Sequence, residues 1–260
     1  MKVVDCHVHV KGNVNVGEIS KILDKKKTNI ACLFSENPNK KGSKVKEYIS
    51  RLSEISKKAN GRIIPFAFID PTYPKIMGLL DWAVKEKGIK GFKIIPDGWF
   101  PWDKRVLPVY KKISELNKPI LFHSGILWTE GDTSRFCRPA EYEILYQFPK
   151  VKFALAHISW PWTDECIAVV QKIKRMRPDN KQAYIDLTPG TPDNYREDAV
   201  KKALALVGPE SLIWGSDSSF PADTVPTGST NKDNRLFTKL GLNNKQKKLI
   251  FSDNFKEFIS

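Results

Sequence analysis

The sequence predicts an α/β fold, a single distorted (β/α)8 barrel over residues 1–260 with extra helices at the C-terminus. Three observations point there. Short β-branched apolar runs recur eight times, a polar turn and a helix-period segment follow most of them, and no Gly-rich phosphate fingerprint follows the first run, as an open doubly wound sheet would call for.

In chain order the runs are 2–8 (KVVDCHV), 29–35 (NIACLFS), 62–69 (RIIPFAFI), 91–96 (GFKIIP), 119–124 (PILFHS), 151–157 (VKFALAH), 182–188 (QAYIDLT) and 211–217 (SLIWGSD). Helix periodicity falls at 43–59, 74–87, 104–117, 139–148, 162–176, 194–206 and 244–259. Near-continuous apolar strands are those buried on both faces, as parallel strands between helices are. Connections at 97–103, 125–138 and 218–231 are long, and in a barrel such loops crown the catalytic end.

Composition narrows the class. Hydrophobic residues make up 41% and charged residues 28%, and no apolar run approaches the roughly 20 residues of a membrane span. MKVVDCHVHV enters a strand at once with no cleavable leader pattern, so a soluble, cytoplasmic protein is expected. Cys6, Cys32, Cys137 and Cys166 are widely spaced, which suits free thiols in a reducing compartment. The net charge of +14 raises nucleic acid as a partner. Its lysines, in stretches such as 24–27, 43–48 and 243–248, are spread along the chain among acids, the pattern of solvated helix faces, so nucleic acid is not expected.

The chemistry collects at strand tips. His7 and His9 stand two apart on the first strand, where alternation turns both imidazoles to one face and Cys6 to the other. His123, His157 and Asp217 end the fifth, sixth and eighth strands. One histidine at a strand end is as often structural as ligating. All four of the chain's histidines at the tips of three strands is hard to reach by chance. By the same alternation Leu121 would line the interior below His123, and Phe153 and Leu155 below His157. Imidazoles with a carboxylate suit a borderline divalent cation such as zinc, with three or four protein ligands and a position left for water.

The ordered set of D-x-H-x-H on strand 1, FHSG on strand 5, AHIS on strand 6 and GSDSSFP on strand 8 resembles the amidohydrolase superfamily, in its amidohydrolase-related (amidohydrolase 2) branch on a TIM barrel. The C-terminal stretch 242–259, with Asn254 before the last helix, is similar to that branch's closing helices. The resemblance implies one Zn²⁺, or alternatively Mn²⁺ or another divalent ion, held by His7, His9, His123 and Asp217, with His157 beside the water. Asp217 would take a proton from that water, and His157 would orient it or stabilise an oxyanion. Asp5 is expected either to orient a ligand ring or to pair with backbone or a lysine.

At strand 4, binuclear relatives use a carboxylated lysine and TatD-type nucleases a glutamate. This chain has Lys93, read as an ammonium facing substrate rather than a bridging carbamate or a neutralised interior lysine. Trp99, Trp128 and Trp160, with Trp102 and Trp162, follow strands 4 to 6 and could wall a planar pocket. Arg135 and Arg138 are candidates to clamp a carboxylate. The expectation is a metal-dependent hydrolase attacking an amide, ester or lactone carbonyl of a small, carboxylated molecule. The alternative is a nonoxidative decarboxylase of aromatic or unsaturated acids, with a TatD-like nuclease behind both. Related barrels pair as dimers, which leaves a homodimer open.

Overall fold

Apolar parallel strands need cover on both faces, and the chain supplies it by returning a helix after nearly every strand. The computed structural model describes residues 1–12, 14–38, 44–221 and 229–260. The strands are β1 Val4–Val10, β2 Ile30–Phe34, β3 Ile63–Phe68, β4 Gly91–Ile94, β5 Ile120–Phe122, β6 Phe153–Leu155, β7 Ala183–Asp186, β8 Leu212–Ile213 and β9 Ser218–Phe220. All pair in parallel, in the order β8-β7-β6-β5-β4-β3-β2-β1-β9. β8 and β9 are two pieces of one barrel strand. β8 bonds to β7 and β9 to β1, and between them Cys6 N donates to Trp214 O at 3.0 Å, so the ring closes as a distorted TIM barrel.

The α-helices are α1 Val16–Lys25, α2 Val45–Lys58, α3 Ile76–Lys85, α4 Leu107–Glu115, α5 Thr163–Met176, α6 Asp193–Leu206, α7 Thr230–Lys239, α8 Asn244–Lys248 and α9 Asn254–Phe258. All eight expected strands are present. Helices α1 and α7 fall outside the segments that periodicity picks out. α1 is signalled instead by its capping box, Asn15 Oδ1 accepting Glu18 N while Glu18 returns to Asn15 N. α7 buries only Asp233 and Phe237, with Leu236 and Leu240 packed beside them, so its apolar stripe is confined to its second half. The expected helix at 139–148 is a run of 3-10 turns, Pro139–Gln147, and the terminal helix is interrupted by a π-turn at Leu249–Asp253. Within the expected 218–231 loop, Ser218–Phe220 is strand, and residues 222–228 lie outside the described residues.

Two apolar layers result. The larger packs helices on the outside of the barrel; the smaller fills its interior with Val4, Cys6, Phe34, Phe66, Leu121 and Tyr184, among others, closed below by Phe255 and Phe258 of α9. Each of those phenylalanines contributes roughly 2 kcal/mol by leaving water. Strand 6 departs from the expected parity. Ala154 and Ala156 face inward, while Phe153 and Leu155 join the outer layer.

One buried ion pair ties the last quarter of the barrel together. Arg196 of α6 donates to Asp233 of α7 at 2.9 Å and to Leu187 O at 2.7 Å, and Asp233 accepts Trp214 Nε1 at 2.7 Å. Both charged side chains are under a tenth exposed. Removing one partner strands the other charge away from water, so Asp233→Ala is expected to destabilise the fold by about 3–5 kcal/mol in chemical denaturation.

Candidate metal centre

The β1 strand does not alternate simply. Its register against β2 shifts between Asp5 and Val8, and this bulge changes which side chains face inward. Val4 and Cys6 lie in the interior layer, yet His7 and His9 also point in, above them, while Val8 and Val10 join the outer layer. Cys6 is therefore not on the face opposite the histidines. Asp5 is turned away from the histidine rings, and its Oδ1 accepts Ser216 N at 2.8 Å and His7 N at 3.2 Å. Of its two expected roles, pairing with backbone is the one seen, and burial pushes its carboxyl up to about 7.

At the mouth, His7 Nε2 lies 3.2 Å from His9 Nε2, and Asp217 Oδ1 lies 3.4 Å from each. An ion bonded to nitrogen and oxygen at the usual lengths in a tetrahedral site separates its donors by about 3.3–3.6 Å. The triangle fits that spacing, and among the described residues it is the group of three such donors found. Asp217 reaches it because the chain leaves β8 and turns at Asp217 with φ 57° before resuming as β9. Burial alone would raise the Asp217 carboxyl, but interaction with His7, a hydrogen bond from His9 and interaction with His157 hold it well below the usual carboxylate range.

The His7 ring is oriented from behind. Its Nδ1 contacts Asp186 Oδ2 at 2.6 Å, both groups buried, so Nδ1 carries the proton and the Nε2 lone pair faces the triangle. Burial and the Lys93 charge push the imidazole toward its neutral, ligating form. Asp186 ends β7 and was not singled out from the sequence, although the acid of the run ending IDLT stands at a strand tip like the others. Gly215 lets β1 approach closely at His7, because a Cβ there would lie 2.8 Å from His7 Cβ.

His157 arrives by a different route. Strand β6 stops at Leu155, and His157, Ile158 and Ser159 follow in left-handed conformation, φ 63°, 49° and 55°. Such conformations cost side-chain-bearing residues about 1–3 kcal/mol each and persist where packing over-determines them. They re-aim the histidine into the cavity despite the parity of the strand. Its Nδ1 meets Pro189 O at 2.6 Å, and Gly190 leaves the space beside it. Its ring lies 5.2 Å from that of His7 and 5.0 Å from that of His123.

His123 lines the same cavity but stands outside the donor triangle, with Nε2 against Ile126 O at 3.0 Å. Lys93 is buried, its Nζ 3.4 Å from His7 Nε2, and burial lowers its ammonium to about 8. The cavity measures ≈ 710 Å³ and reaches from these groups to Trp128, Trp160 and the 189–193 turn after β7, a loop that sequence length did not mark. Two expected substrate contacts are not brought here. Trp99 is buried in the outer apolar layer, and Arg135 stands on an exposed turn paired with Asp132 at 3.2 Å. Arg138 is engaged by Glu165, and Trp102 by Glu141.

A closed parallel barrel with imidazoles and a carboxylate gathered at its strand tips defines the class of metal-dependent hydrolases built on TIM barrels. The family model described as "Amidohydrolase" matches residues 34–257, and the chain belongs to this family. Solved structures share the fold at low identity. A "probable 2-pyrone-4,6-dicarboxylic acid hydrolase" of Acinetobacter baumannii, with citric acid bound, has a TM-score of 0.65 at 16% identity, covering 100% of this chain and 99% of that one. A 5-carboxyvanillate decarboxylase of Novosphingobium aromaticivorans with bound manganese has 0.71 at 12%, covering 99% and 97%. An amidohydrolase of Burkholderia multivorans with bound zinc has 0.68 at 13%, covering 100% and 99%. Among curated proteins, "Protein fluG" of Emericella nidulans is 28% identical over 120 residues, 44% of this chain but 13% of that protein's length.

If Asp186 fixes the His7 tautomer, Asp186→Asn is expected to weaken divalent-ion binding about 10–100-fold without unfolding the barrel. Chelator competition with the purified variant measures it.

Proposed function

We propose that the chain hydrolyses an amide, ester or lactone of a small, carboxylated molecule, using one divalent ion held among His7, His9 and Asp217. The donor triangle at the floor of the cavity carries this reading. An ion held there supplies Lewis acidity, which acidifies water and polarises a carbonyl. Two imidazoles and a carboxylate suit zinc, with manganese the alternative. His123 is the fourth donor in this reading and would exchange the Ile126 carbonyl for the ion.

The protein groups divide the proton work. Asp217, kept ionised, accepts a proton from the attacking water. His157 donates Nδ1–H to Pro189 O, which leaves its lone pair on Nε2, and burial pushes it toward the neutral form. That state suits accepting from water and orienting it better than stabilising an oxyanion as a cation. Lys93, largely protonated at neutral pH with its ammonium at about 8, meets a substrate carboxylate or the developing oxyanion. No second cluster of three such donors is found among the described residues, which fits a single-ion site. Trp128 and Trp160 wall the outer cavity.

A second reading, nonoxidative decarboxylation of an aromatic or unsaturated acid, is favoured by the cavity wall. Ile95, Ile126, Leu127 and the two tryptophans line it, and no arginine does among the described residues. A nuclease gains nothing from a cavity with one lysine. Four buried free thiols support a reducing compartment, and we assign the chain to the cytoplasm as one barrel domain over residues 1–260.

Purified protein is expected to retain a divalent ion and to lose it in His7→Ala and Asp217→Ala, while His123→Ala binds it more weakly; elemental analysis measures all three. Full metal content in the first two variants would overturn the site. Over a panel of carboxylated lactones, esters and amides, hydrolysis in ¹⁸O water is expected to label the product. Release of CO₂ from aromatic acids with no label incorporated would select the decarboxylase instead.

A further inference from the structure

A second cavity, ≈ 850 Å³, opens on the other side of the Trp214–Asp217 break, between the start of β1, the end of α1 and the first turns of α7 and α8. Lys2, Lys25, Lys26, Lys27, Lys247 and Lys248 line it, against Asp5 as the one acid among the described residues. Asp5 is already engaged by the Ser216 and His7 backbone amides and is 1% exposed. Lys248 pairs with Asp253, Lys26 Nζ donates to Ser218 Oγ at 2.9 Å and Lys247 Nζ to Thr238 Oγ1 at 2.6 Å. Lys2, Lys25 and Lys27 have no acidic partner among the described residues.

Some lysines elsewhere are matched to acids. Lys85 and Lys112 meet Asp81, Lys172 meets Glu143, Lys232 meets Asp193 and Lys239 meets Glu197. Six lysines facing one already engaged acid give this groove a positive field that an anion would complement. Its floor is fixed, since Thr28, Trp214 and Ser216 are buried and Trp214 is tied to Asp233. Ser229, Thr230 and Asn231 add the N-terminus of α7, whose amides and dipole favour the same sign of ligand.

We propose that this groove binds a small phosphate-bearing polyanion, of the size of inorganic tripolyphosphate or a nucleoside triphosphate. The site is separate from the metal centre and independent of the reaction assigned to it. Titration calorimetry of the purified full chain at low salt, with tripolyphosphate and with ATP, tests it. One-site binding that weakens as salt rises is expected. Equal affinity for the two probes places recognition on the phosphates alone, and tighter ATP binding adds contact with the nucleoside. Affinity is expected to fall about tenfold or more in Lys25→Glu/Lys27→Glu and to fall measurably in the milder Lys25→Gln/Lys27→Asn, with both variants melting as folded proteins. His9→Ala is expected to bind as tightly as the parent. No heat at low salt, binding that survives both lysine variants but is lost in His9→Ala, or preference for a single-stranded oligonucleotide over tripolyphosphate would each overturn the proposal.

Discussion

A ring of parallel strands has no free edge only if its last strand bonds to both neighbours at once. Here that strand must also carry an acid into the mouth, and it does so by breaking. Leu212–Ile213 completes the ladder with β7, Ser218–Phe220 completes it with β1, and the turn between them swings Asp217 to the histidines. Backbone bonds from Cys6 N to Trp214 O and from Asp217 N to His7 O hold the break against β1. Asp5 closes the seam by accepting an amide from each side. Closure of the fold and assembly of the donor set are therefore the same local event.

The buried charges are arranged around this event. Asp186 stands behind His7 and Lys93 beside it, each fully enclosed, so neither ion has water to stabilise it. Such groups persist because each meets His7 at short range, Asp186 at 2.6 Å and Lys93 at 3.4 Å, and a cation added to the triangle would lower the cost of burying the nearby carboxylates. The interior below is apolar and plugged by α9, which denies water from beneath. Water and substrate enter from the mouth.

Much of this was legible in the sequence, for identifiable reasons. Eight apolar runs were readable because burial on both faces leaves little room for polar residues. The histidines were readable because few exist and each stands at a strand tip. What escaped was what simple alternation hides. The bulge in β1 put Cys6 and Asp5 on unexpected faces, and the left-handed turn at His157 reversed the parity of strand 6. Asp186 escaped because its role is fixed by the partner it meets across the barrel, 179 positions away in sequence. Trp99 and Arg135 show the opposite error. Loop residues near a mouth are equally free to pack inward or to pair with a neighbouring acid, and these did.

The donor set by itself does not choose the reaction. Lewis acidity serves a water attacking a carbonyl and a carboxylate departing from a ring alike, so discrimination falls to the proton carriers and the walls. A neutral His157 with its lone pair held on Nε2 is built to take a proton, and together with an ionised Asp217 that gives the site two acceptors. Hydrolysis uses acceptors, because water must lose a proton as it attacks, whereas losing CO₂ from a ring requires a proton to be delivered to carbon. In the proposed function, two bases at the centre and one ammonium at its side favour water as the nucleophile, with the apolar walls selecting the acyl group.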